Sequence, residues 1–202
     1  MKSKILETIK KFSTNEISDE RKEVLNPLIE YAKTKQNSNE KVRLNFICTH
    51  NSRRSHLSQI WAQTMAHYFK VENVACFSGG TEATAMFPKV AATLANQGFE
   101  IIKISENANP IYAIKFDENE MPMIGFSKRY NDQFNPETNF CAIMTCSSAD
   151  EGCPFIAGAE KRIPIRYEDP KIFDETERGF MQAGLRKRKL SINTSLNKNF
   201  FR

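Results

Sequence analysis

The chain has 202 residues, 40% apolar and 26% charged, which allows one packed domain with decoration and excludes wholesale disorder or two large domains. Its net charge of +5 is located at one end: residues 178 to 202 hold seven basic residues and no acidic one, leaving 22 basic against 24 acidic before them. That tail reads as a solvated end rather than a nucleic-acid-binding device, and with no apolar run near the ~18 residues of a membrane span the sequence predicts a cytoplasmic chain without a membrane partner.

The first forty residues predict two helices. Ile5, Leu6, Ile9 and Phe12 share one face of the first, and Val24, Leu25, Leu28, Ile29 and Ala32 share one face of the second. Asn26-Pro27 predicts a kink or a new helix start, and residues 33 to 41 read as a polar linker. Residues 1–41 are thus an N-terminal helical extension. From Val42 the pattern alternates: a strand to Ile47, polar residues 49 to 55, then a helix carrying Leu57, Ile60, Trp61, Met65 and Tyr68. Val74 to Ser78 is a second strand, stopped by Gly79 and Gly80, and Pro88 opens a helix through Val90 and Leu94. Ile101 to Ile104 is a third strand, and Ile111 to Phe116 with Met121 to Phe126 form a hairpin around Asp-Glu-Asn-Glu. Phe140 to Thr145 and Arg162 to Tyr167 supply two more strands. This alternation predicts an α/β fold with an open, mostly parallel sheet, helices on both faces, and a ligand site at the carboxyl ends of the strands. Beyond Asp174 no helical face holds, and residues 178–202 are assigned to the basic tail.

The five cysteines, Cys48, Cys76, Cys141, Cys146 and Cys153, are odd in number and include no C-x-x-C pair, while the histidines are His50, His56 and His67. Neither a disulfide framework nor a metal site is predicted. Cys76 and Cys141 lie in apolar strands and read as packing residues. Cys48-Thr49-His50-Asn51-Ser52-Arg53-Arg54-Ser55 is different. It is C-x5-R-S between a strand and a helix, where backbone N–H groups can wrap around a tetrahedral oxyanion at a helix N-terminus. Arg54 would close that cradle with a planar fork of donors, and the same field favours the thiolate of Cys48. Ser55 can donate to that thiolate.

The run Phe46 to Ser55, with Ser78-Gly79-Gly80-Thr81-Glu82 and Glu168-Asp169-Pro170, resembles the low-molecular-weight protein tyrosine phosphatase superfamily, especially its thioredoxin-coupled arsenate reductase branch. The resemblance covers roughly residues 42 to 174 and gives the catalytic domain as 42–177. It implies a flavodoxin-like domain of four parallel strands, Cys48 as nucleophile, Thr49 to Arg54 as the oxyanion loop, and Asp169 as the acid, with Glu168 as its alternative. Cys146 and Cys153, seven apart in a polar loop, resemble the arsenate reductase thiol relay; the alternative is that Cys153 packs under Pro154 and Phe155. The resemblance further implies an external thiol reductant such as thioredoxin and no bound cofactor. Gln59 stands where some arsenate reductases carry a carboxylate contributing to a potassium site, which argues against a potassium requirement. Lys171 follows Asp169-Pro170 where tyrosine phosphatases commonly have an aromatic residue, which tilts away from phosphotyrosine. Residues from about 107 to 135 read as a hairpin insertion. Three functions follow in order: arsenate reductase, low-molecular-weight protein tyrosine phosphatase, and a non-catalytic oxyanion-binding or regulatory module.

Overall fold

The computed structural model describes residues 1–11 and 17–170; Phe12, Lys171 and the basic tail lie outside them. Strand β1 (Val42–Cys48) pairs in parallel with β2 (Val74–Gly80), from Val42 opposite Val74 to Cys48 opposite Gly80. On its other side β1 pairs with β6 (Phe140–Met144), which pairs with β7 (Ala159–Pro164). The order is β2-β1-β6-β7, all parallel. Helix α3 (Arg54–Tyr68) connects β1 to β2, and the short α5 (Ser147–Gly152) lies between β6 and β7. A parallel sheet covered on both faces needs apolar residues on both sides of its strands. Strand β6 shows this: Cys141 and Ile143 enter one apolar cluster with Leu44, Phe46 and Trp61, whereas Phe140, Ala142 and Met144 enter another with Ile47 and Ala149. Cys48 is therefore the last residue of a central, doubly covered strand.

The N-terminal helices are packed into this core. From α1 (Ser3–Lys10), Ile5 and Ile9 are buried; from α2 (Asp19–Asn37), Leu25, Leu28, Tyr31 and Ala32. Ser18 caps α2 by accepting from the Arg21 N–H at 3.3 Å. The expected linker from residue 33 is instead helical to Asn37, because α2 buries Lys35 against Glu160 of β7 at 2.6 Å and Glu40 at 2.7 Å. Nor does Pro27 start a new helix. It lies inside α2 on the exposed side of the helix.

The third expected strand is also relocated. Strand β3 (Glu100–Lys103) does not join the parallel sheet but pairs antiparallel with β4 (Tyr112–Lys115), which pairs with β5 (Met123–Gly125). Its mostly exposed residues cannot occupy a sheet covered on both faces. The β4–β5 hairpin forms as expected. Just after it, Gly80 and Arg129 make a parallel bridge that lays the insertion along β2 beside the Cys48 loop. Helix α4 (Pro88–Asn96) starts at its proline, with Val90 and Leu94 fully buried.

Candidate active site

The loop after β1 is held by its carbonyls. Cys48 O accepts from Thr81 N at 3.1 Å, Thr49 O from Glu82 N at 2.8 Å, and Ser52 O from Phe87 N at 3.0 Å. His50 O accepts from Ser127 Oγ at 2.9 Å and Thr84 Oγ1 at 3.2 Å. In a trans peptide the N–H of the next residue points opposite to each carbonyl. Anchoring these four carbonyls to one side thus turns the N–H groups of Thr49, His50, Asn51 and Arg53 to the other, at the N-terminus of α3, where anions are favoured. Asn51 makes the turn in the left-handed region, φ +43°.

Gly80 permits this close approach. A Cβ there would lie 2.7 Å from both Thr49 O and Asn51 N and 2.1 Å from Glu82 O, all backbone atoms that cannot swing away. Gly80→Ala should destabilise the fold by about 3 kcal/mol, the upper end of overpacking costs, and abolish oxyanion binding; denaturant melts with and without phosphate measure both.

Around this loop the side chains are ordered by partners. Asn51 Oδ1 accepts from the Lys128 N–H at 2.9 Å, which fixes the amide so that Nδ2 donates to Ser55 Oγ at 2.8 Å. Ser55, having accepted that bond, retains its own hydrogen for Cys48 Sγ, 3.1 Å away. All three groups are buried. Arg54 donates from Nη1 to Tyr167 O and from Nη2 to Asp169 Oδ2, each at 3.1 Å. Arg53 stacks its guanidinium 4.0 Å from the centre of the Phe87 ring and lies 3.9 Å from the other Asp169 oxygen. Asp169, half exposed, is thereby drawn to the mouth of the loop although it lies 115 residues from Arg54. His50 points outward and faces Glu82 at 3.3 Å.

The second pair of sulfurs lies on the neighbouring strand end. Cys146 is 1% exposed, and its Sγ is 3.4 Å from Thr49 Oγ1 of the loop. It follows β6 directly, and Thr145 is tied to Ile47 O by both its N–H (2.7 Å) and its hydroxyl (2.9 Å), so register between two parallel strands places Cys146 beside the loop. The segment from 147 to 152, expected as a loop, is a helix with Cys146 and Cys153 at its two ends. Cys153 is half-buried and packs against the second apolar cluster, while Phe155 is 77% exposed. Cys76 and Cys141 are buried, and burial pushes both thiols up, Cys141 to about 12, so neither is a nucleophile at neutral pH. Among the described residues no group of His, Cys, Asp and Glu could hold a metal ion, and no helix is long and apolar enough to cross a membrane.

The insertion contributes residues that carried no sequence motif. Ser127 holds both His50 O and Thr84 N, and Asn109 brackets it, accepting from Ser127 N at 3.1 Å and donating to Ser127 O at 2.7 Å. Lys128 is 2% exposed, its ammonium 4.5 and 5.6 Å from the Phe126 and Phe134 ring centres. Burial lowers its pKa from 10.5 to about 8, against the opposing pull of Asp132. Burial, with the Lys128 charge, also holds His56 down at about 3, so His56 is a neutral packing group behind the loop and not a general base. Between pH 8 and 10.5 the unfolded chain binds more protons at Lys128 than the folded one, so this group makes stability rise with pH across that window, and its full cost is present below it. Lys128→Met should therefore raise Tm at pH 7, with the gain fading toward pH 10.5; paired melts at the two pH values check the sign.

No protein-family model and no curated protein matches the chain. Solved structures do match its fold. A low-molecular-weight phosphotyrosine phosphatase from Vibrio cholerae superposes with a TM-score of 0.52 at 15% identity, over 79% of this chain and 96% of that one. A YwlE mutant from Bacillus subtilis gives 0.51 at 12%, over 77% and 97%. An arsenate reductase from Archaeoglobus fulgidus gives 0.45 at 18%, over 78% and 98%. The four-stranded parallel sheet with the Cys48 loop at its carboxyl edge is thus the low-molecular-weight phosphatase fold.

Proposed function

We propose that this chain is a thiol-dependent arsenate reductase of the low-molecular-weight phosphatase superfamily. The observation that carries the reading is the position of Cys146: a buried thiol in contact with the oxyanion loop, one short helix away from a half-exposed second thiol. Hydrolysis of a phosphomonoester needs Cys48 alone and has no use for either.

The mechanism follows from what each residue touches. The N–H groups of the loop hold the oxyanion together with the N–H donors of the Arg54 guanidinium that are not engaged by Tyr167 O and Asp169. Cys48, with the Ser55 hydroxyl supporting its thiolate, attacks arsenic, while Asp169 at the loop mouth protonates the departing oxygen as hydroxide leaves as water. The Cys146 thiolate then attacks Cys48 Sγ, and the electron pair of the arsenic–sulfur bond leaves with arsenic, which departs as arsenite. Cys153 next attacks Cys146, releasing Cys48 as a thiolate and leaving a Cys146–Cys153 disulfide. An external dithiol such as thioredoxin reduces it. The phosphatase reading shares the loop and the acid and ends in hydrolysis of a cysteinyl-phosphate. An assay of arsenate-dependent consumption of reduced thioredoxin, alongside aryl phosphate hydrolysis by the same preparation, separates the two: sustained consumption supports the reductase, and hydrolysis without consumption supports the phosphatase.

A further inference from the structure

We propose that Asp150 is a latch that holds Cys146 and Cys153 apart in the reduced protein, so that its release gates formation of their disulfide. This inference rests on the relay reading above and adds a positioning residue to it.

Cys146 is the residue before α5 and Cys153 the residue after it. Seven helical steps of ~1.5 Å separate their alpha carbons by about 10 Å, whereas a disulfide needs about 7 Å or less. The helix must therefore unwind for the bond to close. Its own stability is negligible, because six residues fall far short of the ~12 to 15 that an isolated helix requires, and Cys146 provides no side-chain cap. What holds α5 is its contact with the rest of the fold.

Ala149 packs into the second apolar cluster and Glu151 faces Arg166 at 3.6 Å, but the charged contacts converge on one residue. Within α5 only Ala149 and Asp150 are buried, and Asp150, 7% exposed, is a carboxylate between two guanidinium groups. Arg162 of β7 binds its Oδ1, and Arg166 binds its Oδ2, with Arg166 Nε at 2.6 Å. Arg162 also donates to the main-chain oxygen of Asp150 and, through Nε at 2.9 Å, to that of Cys153. One arginine thus grips the last turn of α5 and the carbonyl of the second cysteine, satisfying acceptors that a helix end leaves open. The anchor behind it is firm: Ile165 N donates to Met144 O at 3.0 Å and Tyr167 N to Thr145 O at 3.0 Å, which fixes the segment carrying Arg166. Unwinding α5 pulls Asp150 from both arginines, so every closure of the disulfide must break the clasp, and every reduction restores it.

The exchange itself is balanced by sulfur alone. The Cys153 thiolate attacks Cys146 Sγ in the Cys48–Cys146 bond, that bond breaks, the Cys146–Cys153 bond forms, and Cys48 leaves with the electron pair. The latch enters only as the conformational work of bringing the two sulfurs together.

The test is a redox titration of the full chain carrying Cys48→Ser, against oxidised and reduced dithiothreitol. There Cys146 and Cys153 lose two electrons and two protons to the oxidised form, which opens to its dithiol. Asp150→Asn should favour the disulfide about tenfold, lowering the potential by about 30 mV, and should speed hydrogen exchange of the amides from 147 to 152 in the reduced protein. Arg166→Gln, at an arginine whose side chain is 48% exposed, should shift the potential the same way by less and keeps the test available if Asp150→Asn does not fold. With Cys48 intact, aryl phosphate hydrolysis by either variant should match wild type. An unchanged potential in the folded variants overturns the latch and leaves the relay standing. Failure of the parent protein to form a Cys146–Cys153 bond at any dithiothreitol ratio overturns the relay reading, and the latch with it.

Discussion

Cys48→Ser should lose turnover of both arsenate and aryl phosphate by on the order of 10⁵-fold or more, the scale seen when a covalent nucleophile is removed, while still binding phosphate. The two halves of this result come from different atoms. On the proposed mechanism nucleophilic attack uses the sulfur that ends β1, with Ser55 Oγ at 3.1 Å and Asn51 at 2.8 Å from that hydroxyl; a serine hydroxyl in its place stays protonated at neutral pH, and nearby His56 is too weak a base to activate it, because burial and the Lys128 charge hold its pKa down at about 3. On the proposed reading oxyanion binding draws instead on the N–H groups, which are oriented by carbonyl anchors at Thr81, Glu82, Ser127 and Phe87 that the substitution leaves alone. Phosphate should accordingly still raise the melting temperature of the variant, by an amount that grows with the logarithm of its concentration above Kd. Retained turnover would remove Cys48 from the mechanism, and loss of phosphate binding would mean that the sulfur helps to form the cradle.

Arg54→Lys, which keeps the charge, should still cost about 10² to 10³ in turnover, the loss expected when one preorganised oxyanion donor is removed. A guanidinium offers a rigid fork, and here that fork spans Tyr167 O and Asp169 Oδ2, each at 3.1 Å. An ammonium is a single point of charge and cannot hold two directions at once. The loss should thus appear in both kcat and kcat/KM if Arg54, which holds Asp169, positions the acid as well as the anion. A change confined to KM, with kcat intact, would reduce Arg54 to a generic cation.

Much of this site is contiguous in the chain, which is why it could be read there. Cys48 to Ser55 fall in one strand-to-helix turn, and the sheet strands Val42–Cys48 and Phe140–Met144 are apolar runs that burial on both faces demands. Strand β7 was less legible. The sequence places it at 162 to 167, three residues late, because Ala159-Glu160-Lys161-Arg162 belongs to an edge strand in which only Ile163 is buried and which carries no apolar run. The apolar pair Ile101 and Ile102 predicts a strand but not the sheet it joins. Lys35 hides the end of α2 in the sequence, since a lysine ends an apolar face unless ion pairs let it be buried. Ser127, Asn109 and Asp150 are invisible in sequence for a different reason: each acts on a partner in another segment, and isolated polar residues in an insertion or a short helix carry no spacing that announces it.

The most direct measurement of the central claim is a single turnover of arsenate by the Cys153→Ser protein in the absence of small thiols, followed by mass mapping of disulfides. The relay predicts one arsenite released per chain and a stalled Cys48–Cys146 bond, with aryl phosphate hydrolysis unchanged before arsenate is added. Arsenite release without that bond, or equal release when Cys146 is also replaced by serine, would contradict the relay and leave the phosphatase as the better reading of the same loop.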